Sequence, residues 1–161
     1  IARATTKAQA EGLTIEFQLG DMALPLPFPD ASFGAVMSNV ALHSFPDQTT
    51  RKILAEVCRV VEPGGLLLLH VNSTEDMSYR AQRYTRVEEV EANFFQEAHG
   101  QTMHFFSEAY CRDLLRAWII LDLAHQELRD EGGNIFKCVW RCVAQKPARH
   151  TAWRAGTSEK I

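Results

Sequence analysis

Residues Ile15 to Asn72 read IEFQLGDMALPLPFPDASFGAVMSNVALHSFPDQTTRKILAEVCRVVEPGGLLLLHVN. Short apolar runs at Ile15 to Leu19, Phe33 to Ser38 and Leu66 to Val71 alternate with turn-rich connections and one helical pattern. This alternation is typical of buried parallel strands in an α/β sheet. Ligands of such sheets bind outside the carboxyl ends of the strands. The polar residues at those ends are Asp21, Ser38, Asn39, His70 and Asn72.

One helix pattern connects the second and third apolar runs. Asp47 can N-cap this helix, whose apolar positions recur on one face. Those positions are Ile53, Leu54, Val57, Val60 and Val61. The run Pro63-Gly64-Gly65 ends the helix and leads into a strand, whereas a phosphate-binding glycine loop leads from a strand into a helix. These glycines therefore do not predict a phosphate site.

The composition is that of one soluble domain. The chain has 161 residues, of which 46% are apolar and 23% charged, enough to bury a sizeable core. The formal net charge is -3 and the basic residues form no run, so nothing indicates a nucleic-acid partner. No apolar run is long enough to span a bilayer, and no charged-then-apolar leader precedes Ile1. We therefore expect a soluble, cytoplasmic protein that binds neither nucleic acid nor membrane.

Cysteine spacing gives no indication of a metal site. The four cysteines, Cys58, Cys111, Cys138 and Cys142, include no CxxC pair and no zinc-ligand spacing. Cys58 lies in a helix pattern, and Cys138 and Cys142 lie on one face of a strand pattern, which favours packing in the core. We expect no bound metal.

Three segments together resemble a known family. They are GDMALPLPFPDASF from Gly20, VMSNVALHSFPD from Val36 and ILAEVCRVVEPGGLLLL from Ile53. Their order and spacing resemble the second half of the nucleotide-binding core of class I S-adenosylmethionine-dependent methyltransferases. The resemblance continues more loosely through HFFSEAYCRDLLRAWIILDL and FKCVWRCVAQKP. No single segment is decisive, but the three in this order are hard to obtain by chance.

The resemblance implies a Rossmann-like α/β sheet, mostly parallel, with a closing antiparallel hairpin. The three apolar runs would be its third, fourth and fifth strands, and Ile119 to Ala124 and Ile135 to Ala144 would form the hairpin. The family's first two strands, its glycine-rich cofactor loop and its ribose-binding acid have no counterpart. The helix pattern of Ile1 to Gly12 begins without a turn or cap, so we expect the C-terminal part of a longer protein. Residues 1–146 would form a partial methyltransferase domain and residues 147–161 a tail.

The resemblance also implies residues that contact the cofactor. Asp21 matches the acid that recognises the adenine amino group, and Met22 would flank the same ring. Asn39 and Val40 match residues that line the cofactor pocket. Asp21 and Asn39 should converge on one pocket, because parallel strands end at the same edge of a sheet. The alternative for Asp21 is that it only caps a turn.

Two histidines near these positions have different expected roles. His43 lies one short turn beyond Val40, towards the substrate side, where it is a candidate general base in catalysis. The alternative is that His43 packs and hydrogen-bonds within the loop, and the sequence does not choose between the two. His70 lies on an otherwise buried strand, so we expect a core histidine with satisfied hydrogen bonds.

The segment Ser73 to Gly100 is polar with interleaved aromatic residues, Tyr79, Tyr84, Phe94 and Phe95. In the family, the segment after the fifth strand commonly carries a substrate-binding cover. A reacting sulfonium methyl group must be shielded from water, so we expect this segment to fold over the pocket. The alternative is a solvated helix with a few anchoring aromatics. Ser107 can then N-cap a helix that runs to Trp118.

The expected function is transfer of a methyl group from S-adenosyl-L-methionine to a small molecule. Such an in-line displacement depends on positioning and on exclusion of water, which agrees with the lack of a Ser-His-Asp or Cys-His arrangement. Without the glycine-rich loop, the chain alone should have little activity. One alternative is a non-catalytic methyltransferase-like module that self-associates through open sheet edges. Another is a nicotinamide-dependent Rossmann enzyme, which more often ends in a parallel strand.

Overall fold

The computed structural model describes residues 1–76, 87–97 and 100–148 of the chain. Its helices are α1 (Ala2–Ala10), a short 3-10 helix (Leu42–Ser44), α2 (Asp47–Val60) and α3 (Glu108–Leu114). Its strands are β1 (Phe33–Asn39), β2 (Val61–Asn72), β3 (Val87–Glu91), β4 (Phe94–Glu97), β5 (Thr102–His104), β6 (Ile119–Arg129) and β7 (Ile135–Gln145). Within these described ranges, no helix has the length and apolar character needed to cross a membrane.

The main sheet has the strand order β1-β2-β7-β6. Strands β1 and β2 are parallel and joined by α2, while β7 is antiparallel to both β2 and β6. The α/β architecture and the closing antiparallel hairpin are therefore confirmed. The described part of the sheet is mixed rather than mostly parallel. A parallel final strand would have favoured the nicotinamide-dependent alternative. Strand β7 is instead antiparallel to its neighbours, which argues against that alternative.

Ile15 to Leu19 forms no strand in the structure, so this part of the prediction is wrong. Ile15 is 50% exposed and Leu19 is 86% exposed. A strand requires a neighbour that pairs with its backbone amides and carbonyls. Among the described strands, β1 pairs with β2 alone and no strand lies along its other edge. The apolar run has the composition of a strand but no partner.

The Pro-Gly-Gly run lies inside β2, which begins at Val61 directly after α2, so the run neither ends the helix nor precedes the strand as expected. Gly64 has a φ angle of +85°, which favours glycine, and its N–H donates to the carbonyl of Lys146 at 2.9 Å. A Cβ atom on Gly65 would lie 2.8 Å from the carbonyl oxygen of Gly34, so only glycine allows β1 and β2 to approach here. The Pro-Gly-Gly run therefore serves the pairing of these strands, in agreement with the expectation that it binds no phosphate.

Helices α2 and α3 cover one face of the main sheet. On β2, Leu67 and Leu69 are 1% and 2% exposed and pack with the helices, while Leu68 between them is 36% exposed. The core cluster draws on α2, α3, β2 and β7 and comprises Leu42, Ile53, Leu54, Val57, Val61, Leu67, Leu69, Val71, Phe106, Cys111, Leu114, Leu115, Trp118, Trp140, Cys142 and Ala144. The expected positions Ile53, Leu54, Val57 and Val60 are buried on α2, whereas Val61 is buried at the start of β2 rather than on the helix. Cys111 and Cys142 are core positions.

Part of the segment expected to form a cover forms β3 and β4, which join β5 in a second, antiparallel sheet in the order β3-β4-β5. Phe94 and Phe95 begin β4, and Phe94 is buried at 6% exposure. Tyr79 and Tyr84 lie outside the described residues. After this sheet, the hydroxyl of Ser107 accepts a hydrogen bond from the Tyr110 amide at 3.1 Å, which confirms it as an N-cap. Helix α3 ends at Leu114 rather than at Trp118.

Replacing Leu67 should destabilise the fold far more than replacing the next residue. Leu67→Ala removes a fully buried side chain and should lower the free energy of unfolding by about 2–5 kcal/mol. Leu68→Ala is the matched control on the opposite face, where the side chain is already partly in water. Urea denaturation followed by circular dichroism would measure both losses. Equal losses would contradict the one-sided burial of β2.

Candidate functional site

Polar residues meet where β1 and β2 end side by side. The parallel register pairs Asn39 with His70, and Nδ1 of His70 lies 3.0 Å from Oδ1 of Asn39. The amide of Val40 donates to the carbonyl of His70 at 2.8 Å. Val40 has a φ of 51°, a left-handed conformation that is rare for a β-branched residue. Strained backbone of this kind is often found at functional sites and turns the chain sharply after β1.

The Asn39–His70 pair borders a shallow cleft of about 270 Å³ on the sheet. Its lining comes from β1, β2 and β7 and comprises Met37, Ser38, Asn39, Leu68, Leu69, His70, Arg141, Cys142 and Val143. Arg141 forms an ion pair with Asp122 at 2.9 Å. Within the described structure, the hydroxyl of Ser38 and Nε2 of His70 are buried without a hydrogen-bond partner. The carboxyl end of β1 therefore holds polar atoms that the described protein does not satisfy.

The protonation state of His70 follows from its surroundings. Burial lowers the pKa of His70, and the positive charges of Lys137 and Arg141 lower it further. The Asn39 oxygen can only accept, so a neutral His70 carries its proton on Nδ1 and leaves a lone pair on Nε2. The expectation that His70 is a satisfied core histidine is correct for one ring nitrogen only.

His43 is carried by the 3-10 helix that follows β1. Leu42 beside it is 1% exposed and anchors this helix in the core. His43 itself is half-buried, and its neighbour Ser44 is exposed. The carbonyl of Ser44 accepts from the Thr102 hydroxyl at 3.0 Å. His43 thus lies beyond the strand end on a fixed turn, and its role as a base stays a prediction.

Asp21 caps a turn in this structure. It is exposed, and its Oδ1 accepts a hydrogen bond from the Ala23 amide at 2.9 Å. Met22 next to it is half-buried against the core. Met22 also borders a second cleft of about 290 Å³ between α2 and the proline-rich loop of residues 24–29. The cleft is lined further by Ala23, Leu24, Pro25, Lys52, Ala55 and Glu56. No contact between Asp21 and Asn39 appears in the described structure, so their convergence on one pocket stays a prediction.

Two charged residues of α2 hold the proline-rich loop in place. Arg59 donates to the carbonyls of Leu26 and Phe28 at 2.9 and 2.8 Å and pairs with Asp30. Glu56 accepts from the Leu26 amide at 2.9 Å and from Arg59 at 2.8 Å. Bonds from Arg59 and Leu26 lower the pKa of the Glu56 carboxyl. The sequence offered a signal for this pair, because the spacing of Glu56 and Arg59 places them on one face of the helix.

Asp47 has a different role from the expected N-cap. It is the first residue of α2, and the N-cap position belongs to Pro46. Its carboxylate accepts from Nε of Arg51 at 2.8 Å and from the Tyr110 hydroxyl at 2.7 Å. The bond to Arg51 lowers the pKa of Asp47, while burial and the bond to Asp47 raise the pKa of Tyr110. Because Pro46 occupies the N-cap position, the Asp47 carboxylate is free to join α2 to α3.

Among residues 1–76, 87–97 and 100–148, no three His, Cys, Asp or Glu side chains gather in a geometry that could hold a metal ion. The cysteines in this part of the chain are free thiols. Burial raises the pKa of Cys111 to about 12 and that of Cys142 to about 11, so both are protonated and unreactive at neutral pH.

Known proteins match the first part of the chain most closely. Residues 1–69 match a family described as a methyltransferase domain. A demethylmenaquinone methyltransferase of Deinococcus radiodurans is 50% identical over 66 residues, which are 41% of this chain and 26% of that protein. The chain thus spans about a quarter of the length of this curated relative.

Solved structures match over nearly the whole chain. A methyltransferase of Methanosarcina mazei, described as dependent on S-adenosylmethionine, aligns with a TM-score of 0.74 and 26% identity over 92% of this chain and 77% of that one. A 1,6-didemethyltoxoflavin-N1-methyltransferase of Burkholderia thailandensis, with S-adenosylhomocysteine bound, aligns with a TM-score of 0.64 and 16% identity over 89% of this chain and 56% of that one. At this lower identity the second match shows the fold alone.

Introducing a carboxylate beside His70 should reverse the shift of its pKa. In Asn39→Asp the new negative charge lies within contact distance of the imidazole, so the pKa of His70 should rise by about one pH unit or more. Titration of the histidine resonances by NMR would measure it. Asn134→Asp is the control, because Asn134 lies in the turn between β6 and β7. This turn lies far along β7 from Arg141, the residue that pairs with His70. A His70 pKa that is the same in wild type and Asn39→Asp would contradict the observed pairing.

Proposed function

Because residues 1–69 match a methyltransferase domain and the chain aligns with solved methyltransferase structures, we propose that this protein is a class I S-adenosylmethionine-dependent methyltransferase, which transfers the methyl group of S-adenosylmethionine to a small-molecule acceptor. The observation that carries the proposal is the polar end of β1. There Asn39 is oriented by His70, and Val40 turns the chain away from the sheet. In an α/β sheet, this is the edge at which ligands bind.

The residues at this edge fit part of the cofactor. Asn39 is exposed and offers an amide that can hydrogen-bond a polar ligand, and the nearby Ser38 hydroxyl has no partner within the described structure. Asp21 uses one carboxylate oxygen in its turn, and its second oxygen can accept a bond from an exocyclic amine such as that of adenine. Met22 and Val40 would supply apolar contacts to the same molecule. This assignment leaves the methionine and ribose ends without named contacts.

The chemistry that S-adenosylmethionine supplies is an activated sulfonium methyl group that a nucleophile can displace. The protein must hold the acceptor in line with this group and keep water away. His43, on its 3-10 helix, would accept a proton from the acceptor as a general base. The sheet of β3, β4 and β5 would shield the reacting atoms, since side chains of β5 hydrogen-bond to the turn that carries His43.

A small-molecule acceptor is favoured by the relatives and by the surface. Proteins with similar sequence or fold are named for methylation of demethylmenaquinone and of 1,6-didemethyltoxoflavin. The cleft beside Asn39 is largely apolar, with Met37, Leu68 and Val143 in its lining. The net charge of -3 and the acidic β3 also favour a small-molecule acceptor over nucleic acid.

The second candidate is a non-catalytic module that self-associates. It is favoured by the edge of β1, along which no other described strand lies, and by exposed apolar side chains such as Met37 at 72%. Open strand edges can pair with another chain. Sedimentation velocity at several protein concentrations would detect this. A concentration-independent monomer would remove the self-association proposal.

Organisation and location are extensions of the same proposal. Residues 1–146 would act as the methyltransferase unit and residues 147–161 as a tail. We place the protein in the cytoplasm, since its cysteines are free thiols in the described part of the chain. A version lacking residues 147–161 should keep the same cofactor affinity. A marked loss of affinity would show that these residues belong to the functional unit.

Isothermal titration calorimetry with S-adenosylhomocysteine tests the proposed function. Micromolar binding would support the enzyme, and the absence of heat at high protein concentration would support the non-catalytic module. S-adenosylhomocysteine is suitable because it lacks the reactive methyl group and needs no acceptor. Binding of NADH with comparable affinity would count against the assignment of the site to this cofactor.

Removing the Asp21 carboxylate should weaken cofactor binding specifically. Asp21→Ala deletes the acceptor proposed for the adenine amine, and the affinity for S-adenosylhomocysteine should fall by about tenfold, which corresponds to roughly 1.4 kcal/mol. Glu16→Gln is the control, because Glu16 is an exposed acid on the same segment. The same calorimetric titration measures all variants. Equal affinities in the wild type and Asp21→Ala would show that Asp21 only caps its turn.

A further inference from the structure

Two side chains of strand β5 hydrogen-bond to the backbone of the turn that carries His43. The Thr102 hydroxyl donates to the carbonyl of Ser44 at 3.0 Å. Nδ1 of His104 lies 3.0 Å from the carbonyl oxygen of Phe45. A carbonyl oxygen only accepts, so the His104 proton must be on Nδ1. Two consecutive carbonyls directly after His43 are thus bound by side chains two residues apart, which lie on the same face of a strand.

His104 is held rigidly in this position. It is 3% exposed, and its ring packs against Phe106 and Tyr110 with centroid distances of 4.6 and 5.1 Å. The Phe94 ring meets it edge-on at 5.6 Å. Burial lowers the pKa of His104, although the bond to Phe45 and the charges of Asp47 and Glu91 act in the opposite direction. His104 is therefore a neutral, fixed donor at neutral pH.

The turn is also bound by α2 and by β3. The carbonyl of Phe45 accepts a second hydrogen bond, from the Thr50 hydroxyl of α2, at 3.2 Å. The amide of Asp47 donates to the Glu91 carboxylate of β3 at 3.2 Å. Residues 44–47 are therefore bridged between α2, which belongs to the main sheet layer, and the three-stranded sheet. A movement of the three-stranded sheet relative to α2 must break or strain these bonds.

We propose that Thr102 and His104 are positioning residues that couple the three-stranded sheet to the turn carrying His43. This inference rests on the proposed function, in which that turn borders the cofactor and acceptor. Neither residue touches the reacting molecules in this arrangement. Their role is to set the conformation of Val40 to Phe45 when the sheet is docked. Docking of the three-stranded sheet onto the turn and alignment of His43 then occur together.

The argument for coupling rather than ordinary scaffolding is the target of the two bonds. Residues that only stabilise the small sheet would bond within it or to the helices beneath it. Thr102 and His104 instead bond backbone carbonyls of a turn that lies 58 and 59 residues away in the sequence. Hydrogen bonds to backbone hold a conformation whatever the side chains of the turn are. Their loss should loosen the turn while leaving the core intact.

Amide hydrogen exchange on the full chain, resolved by NMR, tests the Thr102 bond. The reporters are the amides of Val40 and Phe45, which donate to the carbonyls of His70 and Leu42 at 2.8 and 3.2 Å. In Thr102→Val, which keeps the shape but loses the hydroxyl, they should exchange about fivefold to tenfold faster. Thr102→Ser keeps the hydroxyl and should exchange like the wild type. The Leu69 amide reports the core and should not change in either variant.

A second pair of variants separates the His104 bond from the packing of its ring. His104→Phe keeps an aromatic ring but has no donor, whereas His104→Asn places a side-chain N–H near the position of Nδ1 without the ring. We expect faster exchange at Val40 and Phe45 in His104→Phe and partial recovery in His104→Asn. If the asparagine variant is looser than the phenylalanine variant at these amides, packing rather than the hydrogen bond is the cause, and the assignment to His104 is wrong.

Repeating the measurement with S-adenosylhomocysteine distinguishes this proposal from the proposed function. In the wild type, the ligand should slow exchange both in the turn and in β3, β4 and β5. In Thr102→Val and His104→Phe, the ligand should still slow exchange in the turn but should no longer slow exchange in the three strands. A wild type that binds no ligand overturns the proposed function, and the ligand-free data still decide on the coupling. Unchanged exchange at Val40 and Phe45 in both variants overturns the coupling.

Discussion

The parallel pairing of β1 with β2 is the constraint on which the rest of the structure depends. Two parallel strands cannot be joined by a tight hairpin, so the chain needs a crossover connection, which is α2. The pairing also ends both strands at the same edge and sets Asn39 beside His70. A shift of the register by one residue would turn Leu67 and Leu69 away from the helices. Packing of the core and assembly of the site are therefore consequences of one register.

Close approach of backbones at the start of the pair makes this register possible. Gly65 leaves no room for a side chain against the Gly34 carbonyl, and Lys146 bonds back across the same point to the carbonyls of Cys58 and Val61 at 2.6 and 2.7 Å. The end of α2, the start of β2 and the end of β7 are thereby tied together. Since the carboxyl ends of β1 and β2 lie at the other end of the sheet, they are left to polar residues and sharp turns. Stability and ligand chemistry are separated along the strands.

Local patterns predicted the elements whose partners are near in sequence. The helical periodicity of α2, the Ser107 cap and the strand pattern after the Pro-Gly-Gly run all agree with the structure. Ile15 to Leu19 failed because a strand also needs a neighbour, and periodicity cannot reveal whether one exists. The three-stranded sheet was also not foreseen, because its register depends on Phe94 meeting His104 and not on either strand alone. Of the site, the residues after β1 follow from the pattern, and the bonds to Phe45 and Ser44 do not.

Asp47 links the turn that carries His43 both to the helices and to the three-stranded sheet. Its carboxylate joins Arg51 and Tyr110, and Arg51 continues to Asp113 at 2.7 Å, so α2 and α3 are fixed to each other. The Asp47 amide donates to Glu91 of β3. One residue therefore belongs to the helical layer through its side chain and to the three-stranded sheet through its backbone. A displacement of the small sheet relative to α2 would therefore act on the turn between Asn39 and Pro46, where His43 lies.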